Sequence, residues 1–249
     1  MRRMIRADLA RIMRKKGVWV LFALTAVYFT LIVLGFRFVY AWAGDSFTYA
    51  VCLTLPVPEF FFGLCIFLWI YGDDFASMSM ITAIGRGLTK TKVVLAKFLD
   101  TLILTILFHC ILIVILTVIR LASGTYLTPD EAGTLYLSVV NGAYQILGYV
   151  TISAIPLYLF GSLPAAVFVM VVIFVLIPAV FSVMTDTTLI LTYHIERYYY
   201  GNIGDMAVAD IMLGLPGKGA LLFLAGLIIY AGTALAACMV FFKLKETEF

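Results

Sequence analysis

Charge is scarce in this sequence. Only 12% of its 249 residues are charged, about half the share of a soluble domain, and 64% are hydrophobic. One soluble core of this size cannot hide that excess, so the composition excludes an ordinary soluble domain and points to an integral membrane protein. Histidine is scarcer still. His109 and His194 are the only two, too few and too scattered for a zinc constellation, so no metal site is expected. Cysteine is limited to Cys52, Cys65, Cys110 and Cys238, all inside apolar runs and without a CxxC pair. That excludes a disulfide framework and leaves four small buried hydrophobes. The pattern of a removed leader is also missing. The N-terminus starts basic and turns apolar, but the uncharged run Gly17–Phe36 is too long for a signal peptide and no small-residue cleavage pattern closes it. A retained span is expected there.

Long apolar runs are what the sequence has. A bilayer-crossing helix needs ~20 apolar residues. Six segments qualify: Gly17–Phe36, Val51–Tyr71, Thr101–Ile119, Val139–Phe160, Ala165–Met184 and Gly219–Phe242. The expected fold is an all-α integral membrane protein with a single transmembrane domain over residues 1–249. With the N-terminus inside, 13 of the 17 Lys and Arg residues lie on the cytoplasmic side, and only Arg37, Arg120, Arg197 and Lys218 lie outside. The positive-inside rule then places both termini in the cytoplasm. Residues 1–16 read as an amphipathic elbow helix on the membrane surface. Met1, Met4, Ile5, Leu9, Ile12 and Met13 share one face, and Arg3, Arg6 and Arg14 point away from it. A plain basic anchor is the alternative.

Residues 85–100 read GRGLTKTKVVLAKFLD and superficially resemble a phosphate loop. Such a loop needs G-x-x-x-x-G-K-[ST] after a strand, so that backbone amides cradle the phosphates. Here Thr89 and Ile84 occupy the two glycine positions, and no soluble α/β domain surrounds the stretch. ATP and Mg are therefore not expected to bind this chain. Residues 72–98 instead form the longest cytoplasmic loop. Asp73 and Asp74 open it, and Phe75–Ile84 reads as a short helix with Phe75, Met78, Ile81 and Ile84 on one face. Gly85 and Gly87 permit a tight turn, and a second helix carrying Lys90, Lys92 and Lys97 runs from Thr89 into the third span. A helix–turn–helix of this kind is a natural docking knob for a cytoplasmic partner.

The basic N-terminal helix, the six spans and this loop together resemble the membrane subunits of ABC transporters of the type-2 exporter class. The motif residues are Asp73/Asp74, then Gly87-Leu88-Thr89-Lys90, then Leu95-Ala96-Lys97; the family more often has Arg at the position of Lys90. The resemblance implies that the loop is a coupling helix fitting a groove on a separate ATPase subunit. It further implies that ATP and Mg are bound by that partner, and that Asp73, Asp74, Phe75, Met78, Ile81, Arg86, Gly87, Thr89, Lys90 and Lys97 form the contact. A merely basic, lipid-facing loop is the alternative.

Residues 185–218 form the longest outer segment, and Tyr193, Tyr198, Tyr199 and Tyr200 make it rich in tyrosine, a residue suited to the water–lipid boundary. Two short helices are expected, near Thr188–Tyr200 and Asp205–Leu213, dipping into the outer leaflet. The resemblance implies re-entrant helices here, with Tyr198, Tyr199 and Tyr200 at an outer gate. An aromatic anchor without gating is equally open. Glu59 stands inside the second span beside Pro56 and Pro58, which weaken the helix and free carbonyls. A carboxylate at that depth costs a few kcal/mol unless paired or wetted. Either Glu59 lines a watery cavity, with His109 facing it, or it marks the outer end within reach of Arg37 or Arg120. Asn141 and Gln145, one turn apart in the fourth span, either touch cargo or join helices. The small residues Ala225, Gly226, Gly232 and Ala236 of the sixth span read as close packing.

The expectation is a non-catalytic permease subunit of an ATP-driven exporter in the plasma membrane. It would act as a dimer with a second copy or a homologue, amid membrane lipids, and move an amphiphilic cargo such as a hydrophobic or antimicrobial peptide, a lipid or a drug. Nucleic acid is not among the expected partners. An ATP-independent secondary transporter or channel is the alternative, with an intramembrane enzyme behind it. Ser162 and His109 lie at different depths, and the YHIER stretch supplies one histidine where a metalloprotease helix needs two.

Overall fold

The computed structural model describes residues 2–39, 44–76, 79–183 and 195–244, and among these residues every regular element is a helix. The N-terminal helix α1 (Arg2–Met13) is followed by α2 (Lys16–Val39). Helices α3 (Gly44–Thr54) and α4 (Pro56–Phe67) run on through a π-helical turn, Leu68–Gly72, into α5 (Asp73–Ala76). A short helix α6 (Ser79–Gly85) leads to the two longest, α7 (Lys90–Ser123) and α8 (Pro129–Phe160). Next come α9 (Leu163–Val171), a π-helical turn at Val172–Leu176 and α10 (Ile177–Val183). After a 3₁₀ turn at Ile195–Tyr198, the chain closes with α11 (Tyr200–Met212), α12 (Pro216–Gly226), a π-helical stretch Leu227–Gly232 and α13 (Thr233–Leu244).

Six helical segments are long and apolar enough to cross a membrane: Lys16–Phe36, Phe47–Phe75, Lys90–Ser123, Pro129–Phe160, Leu163–Ser182 and Pro216–Leu244. The expected count is met, but the ends move outward. The third segment starts eleven residues before Thr101, because Thr89 supplies an N-cap: its hydroxyl accepts from the Lys92 amide at 3.4 Å. Lysines on a helix end do not stop a helix; they only leave the hydrocarbon. At 34 residues α7 is about 51 Å long and overruns a ~30 Å hydrocarbon core. The fourth segment starts ten residues before Val139. Thr128 and Glu131 form a reciprocal capping box there, with Pro129 at the first helical position. Gly124 and Gly161 end α7 and α8 in the left-handed conformation, at φ 70° and 71°.

Prolines do not interrupt the second span as expected. The backbone stays helical at Leu55, whose amide reaches the Val51 carbonyl at 2.8 Å. Pro58 cannot donate to the Thr54 carbonyl, and the Tyr28 hydroxyl donates to that oxygen instead, at 3.2 Å. Helix α8 is the centre of the bundle. It touches α3, α4, α7, α9, α11 and α13, and 67% of its apolar stretch is buried against 11% for the fifth span. Tightly packed Phe62, Phe67, Phe108, Leu112, Ile146 and Val150 fill the interior. Cys110 differs from the expected buried hydrophobe: it is free like the other cysteines but exposed on the apolar outside of α7.

Candidate functional site

Two sites emerge, one at the end of the bundle where α1 lies and one in its interior. At the first, α1 lies across the start of α7 and is held by charge. Lys97 is fully buried; its Nζ pairs with Asp8 Oδ2 at 2.6 Å and with Asp74 Oδ2. Arg11 donates to Asp74 Oδ1 at 2.9 Å, and Lys15 pairs with Asp73. Burial pulls the Arg11 guanidinium down, but the hydrogen bond to Asp74 and the charges of Asp74, Asp8 and Asp73 outweigh it and hold the group above its ordinary value. Asp100 lies fully buried behind this clamp with neither carboxyl oxygen hydrogen-bonded. The clamp therefore joins three elements: the N-terminal helix, the end of the second span and the start of the third.

This placement sorts the residues of the loop. Asp74 and Lys97 are internal, so neither presents its charge on the surface. Phe75 packs against Tyr158 at 6.1 Å, and Lys90 lies 5.8 Å from the Phe242 ring. Arg86, Gly87 and Thr89 form the exposed turn, with Gly87 at φ 91° and open space around it. Of the expected helix Phe75–Ile84, α5 covers the part up to Ala76 and α6 the part from Ser79; residues 77–78, Met78 among them, and the Ile81 side chain fall outside the described residues. On α1, Arg3, Arg6 and Arg14 are exposed and Ile12 is fully buried, as its helical spacing predicts. Asp8 and Arg11 carry the clamp and were not foreseen. The available signal was Asp8, the one acidic residue among the first sixteen.

The second site is a cavity of about 260 Å³ beside α8. Glu59 and Cys52 line it from the second span, Asn141, Gln145 and Tyr149 from α8, Phe174 and Pro178 from the fifth span, and Tyr199 and Asp205 from the segment that follows. Asn141 stands twelve residues into α8, about 18 Å from its start. Its Nδ2 donates to Asp205 Oδ1 at 2.6 Å, and Gln145 Nε2 approaches the same oxygen at 3.5 Å. Glu59 is 4% exposed; its Oε1 and the Asn141 Oδ1 are buried without a hydrogen-bond partner among the described residues. Asp205 lines the cavity and is an exposed residue. Partial loss of hydration still raises its carboxyl above the ordinary aspartate range, with the Asn141 hydrogen bond opposing.

Glycines make the site possible. A Cβ on Gly142 would stand 1.6 Å from Glu59 Oε1, so only glycine leaves room for the carboxyl against α8. A Cβ on Gly204 would stand 2.1 Å from Asn141 Oδ1, so glycine also lets α11 come close enough for Asp205 to be reached. Helix α11 runs antiparallel to α8: Tyr200 meets Gly148, Gly204 meets Asn141, and Met212 meets Gly133. Tyr200 is thus level with a point about 28 Å along α8, deep within the bundle. On the sixth span Gly219 receives α11 and Gly226 makes room chiefly for Tyr144 of α8, whereas the Cβ position of Gly232 is nearly empty.

Glu59, Asn141 and Gln145 are therefore gathered in one cavity, while His109 is not. His109 Nδ1 donates to the Thr105 carbonyl at 2.8 Å, and its ring packs on Phe62. The three tyrosines part company. Tyr200 is buried, its hydroxyl donating to the Tyr144 carbonyl at 2.6 Å. Tyr199 lines the cavity and donates to the Ile173 carbonyl. Tyr198 is exposed, and its carbonyl accepts from Tyr230. They staple the segment to the fourth, fifth and sixth spans. The helix expected near Asp205–Leu213 begins earlier, at Tyr200; of the one expected near Thr188–Tyr200, residues 188–194 lie outside the described residues and 195–198 form a 3₁₀ turn. Sequence reasoning missed Asp205; its signal was a carboxylate directly following Gly204 in a half-apolar stretch. Ser162 caps α9, its hydroxyl accepting from the Ala165 amide, and is not arranged with His109. Among the described residues no group of three or more His, Cys, Asp or Glu is placed to hold a metal ion. Compared with known proteins, the sequence matches no family model and no curated protein.

Proposed function

We propose that this chain is the membrane-spanning permease subunit of an ATP-driven exporter of the type-2 ABC class, with ATP and Mg bound by a separate cytoplasmic ATPase. The observation that carries the reading is the ionic clamp. Arg11, Asp74, Lys97 and Asp8 tie the N-terminal helix to both strands of the 72–98 loop, so a push on the exposed turn at Arg86–Thr89 reaches the bases of the second and third spans together. In this reading α1 is the elbow helix and α5, α6 and the turn are the coupling element. The 185–218 segment is, in this reading, the outer re-entrant element, and for its described part the level of Tyr200 against Gly148 supports it. Both termini are cytoplasmic, the membrane is the plasma membrane, and two copies or a copy and a homologue enclose the path. The cargo is an amphiphile, a hydrophobic or antimicrobial peptide before a lipid or drug.

The test is co-purification. The chain should bring down an ATPase with Walker motifs from its native membrane, and replacing residues 75–90 by a Gly/Ser linker should release it. Retention of the ATPase by the linker variant would overturn the coupling assignment. A second reading, an ATP-independent secondary transporter, draws on Glu59 and Asp205 sharing one cavity. Cargo movement in vesicles holding this chain without any ATPase would favour it.

A further inference from the structure

The interior cavity is a recognition problem with an unfilled half. Most of its donors are already engaged within the protein. Asn141 and Gln145 direct their NH₂ groups to Asp205. Cys52 Sγ donates to Ser138 Oγ at 3.5 Å, and Ser138 in turn donates to the Thr134 carbonyl at 2.8 Å. What remains is Glu59 Oε1 and Asn141 Oδ1, both in side chains more than nine-tenths buried and both without a partner among the described residues. A buried acceptor left unpaired is costly, and a buried carboxylate without a cation is more so. Among the described residues the lining contains no Lys, Arg or His. These atoms call for a donor from outside the described residues, and one that carries positive charge would pair best with a Glu59 carboxylate.

The walls say which cation. Tyr149 and Phe174 meet edge to face at 5.1 Å, and Tyr199 stacks beside Tyr149 at 6.1 Å. Aromatic faces beside carboxylates attract an ammonium group by its charge and tolerate its carbon stem, whereas a bare metal ion needs a closed shell of oxygens. A volume of about 260 Å³ is about eight to nine waters' worth at ~30 Å³ each, room for an ammonium head and a few methylenes. We infer that the cavity between Glu59, Asn141 and Asp205 binds the primary ammonium group of an amphiphile, such as an alkylamine or the amino group of an apolar peptide. The N–H donors of such a head match the acceptors that Glu59, Asn141 and Asp205 supply around the cavity. This rests on the permease reading in treating the ligand as cargo; the binding itself needs no ATPase.

The experiment uses the full chain in lipid nanodiscs, without any partner, and titrates n-octylammonium, n-octanol and n-octanoate by calorimetry. Octylammonium should bind saturably at one per chain and raise the unfolding temperature, and the alcohol and the carboxylate should show only unsaturable partition. Glu59→Gln should weaken octylammonium at least tenfold. Gly142→Ala, which displaces the Glu59 carboxyl without altering charge, should do the same, and a thermal melt of each free variant verifies folding. Equal behaviour of the three probes, undiminished binding by either folded variant, or displacement of the amine by millimolar sodium or potassium would overturn the inference. Failure here leaves ATPase co-purification intact, and failure of co-purification leaves amine binding intact, so the two claims fall separately.

Discussion

Replacing Gly148 by alanine puts a methyl group where the ring of Tyr200 now lies. The new Cβ would stand 2.1 Å from Cε1, 2.2 Å from Cζ and 2.6 Å from the hydroxyl of Tyr200. The ring cannot swing aside at little cost. It is 1% exposed, stacked on Tyr144 at 4.3 Å, and backed by Tyr149 and Tyr230 at 5.6 and 5.4 Å. Overpacking of this kind costs about 1–3 kcal/mol, and losing the Tyr200–Tyr144 hydrogen bond adds about 1 kcal/mol. Alanine's better helix propensity returns about 1 kcal/mol. The net loss is about 1–3 kcal/mol, equivalent to a fall of roughly 2–12 °C in unfolding temperature for a chain of this length. The assay is thermal unfolding in detergent, with Gly35→Ala as control, since that Cβ would meet nothing within 4 Å. Adding Tyr200→Ala to Gly148→Ala should cost less than the sum of the two single changes, because the methyl then enters space already vacated. A Gly148→Ala variant as stable as the control would refute the close docking of α11 on α8.

Lys97→Met should lower stability by at most about 3–5 kcal/mol, because Asp74 and Asp8 lose their buried cation and keep only the partly exposed Arg11; an unchanged melting temperature would dismiss the clamp. Gly87→Ala should cost only about 1 kcal/mol, from the left-handed backbone at φ 91° alone, and a far larger loss would mean the turn is packed rather than open. Asp205 gives a pH dependence of known sign. Its carboxyl titrates higher in the fold than unfolded, so its contribution is full below the ordinary aspartate value near 4 and is lost as pH rises through the raised one. Asp205→Asn should flatten that part of the stability profile, and an identical slope in both proteins would contradict it. Cysteines placed at Arg86 and Tyr126, on opposite ends of α7 and both exposed, should react with impermeant reagent only from the cytoplasm and only from outside, respectively. The reverse pattern would overturn the proposed orientation.

The sequence by itself determined the class of molecule and the number of segments long and apolar enough to cross a membrane. Length and apolarity suffice for that, because hydrocarbon demands backbone satisfied within each segment. It also marked Glu59, Asn141 and Gln145, since polar groups stand out against a run of Leu, Ile, Val and Phe. Helix ends were less legible. Thr128 with Glu131 and Thr89 extend α8 and α7 beyond the apolar runs through hydrogen bonds that hydropathy does not register. Only the tertiary structure decided the partners. Asp74 and Lys97 had been read as surface groups, yet Asp8 and Arg11, more than sixty residues away in the chain, turn them inward. Asp205 joined Glu59 and Asn141 because Gly142 and Gly204 leave no side chain between the helices. Charge pairing and close approach depend on distance in space, and local pattern carries no record of which distant residues will meet.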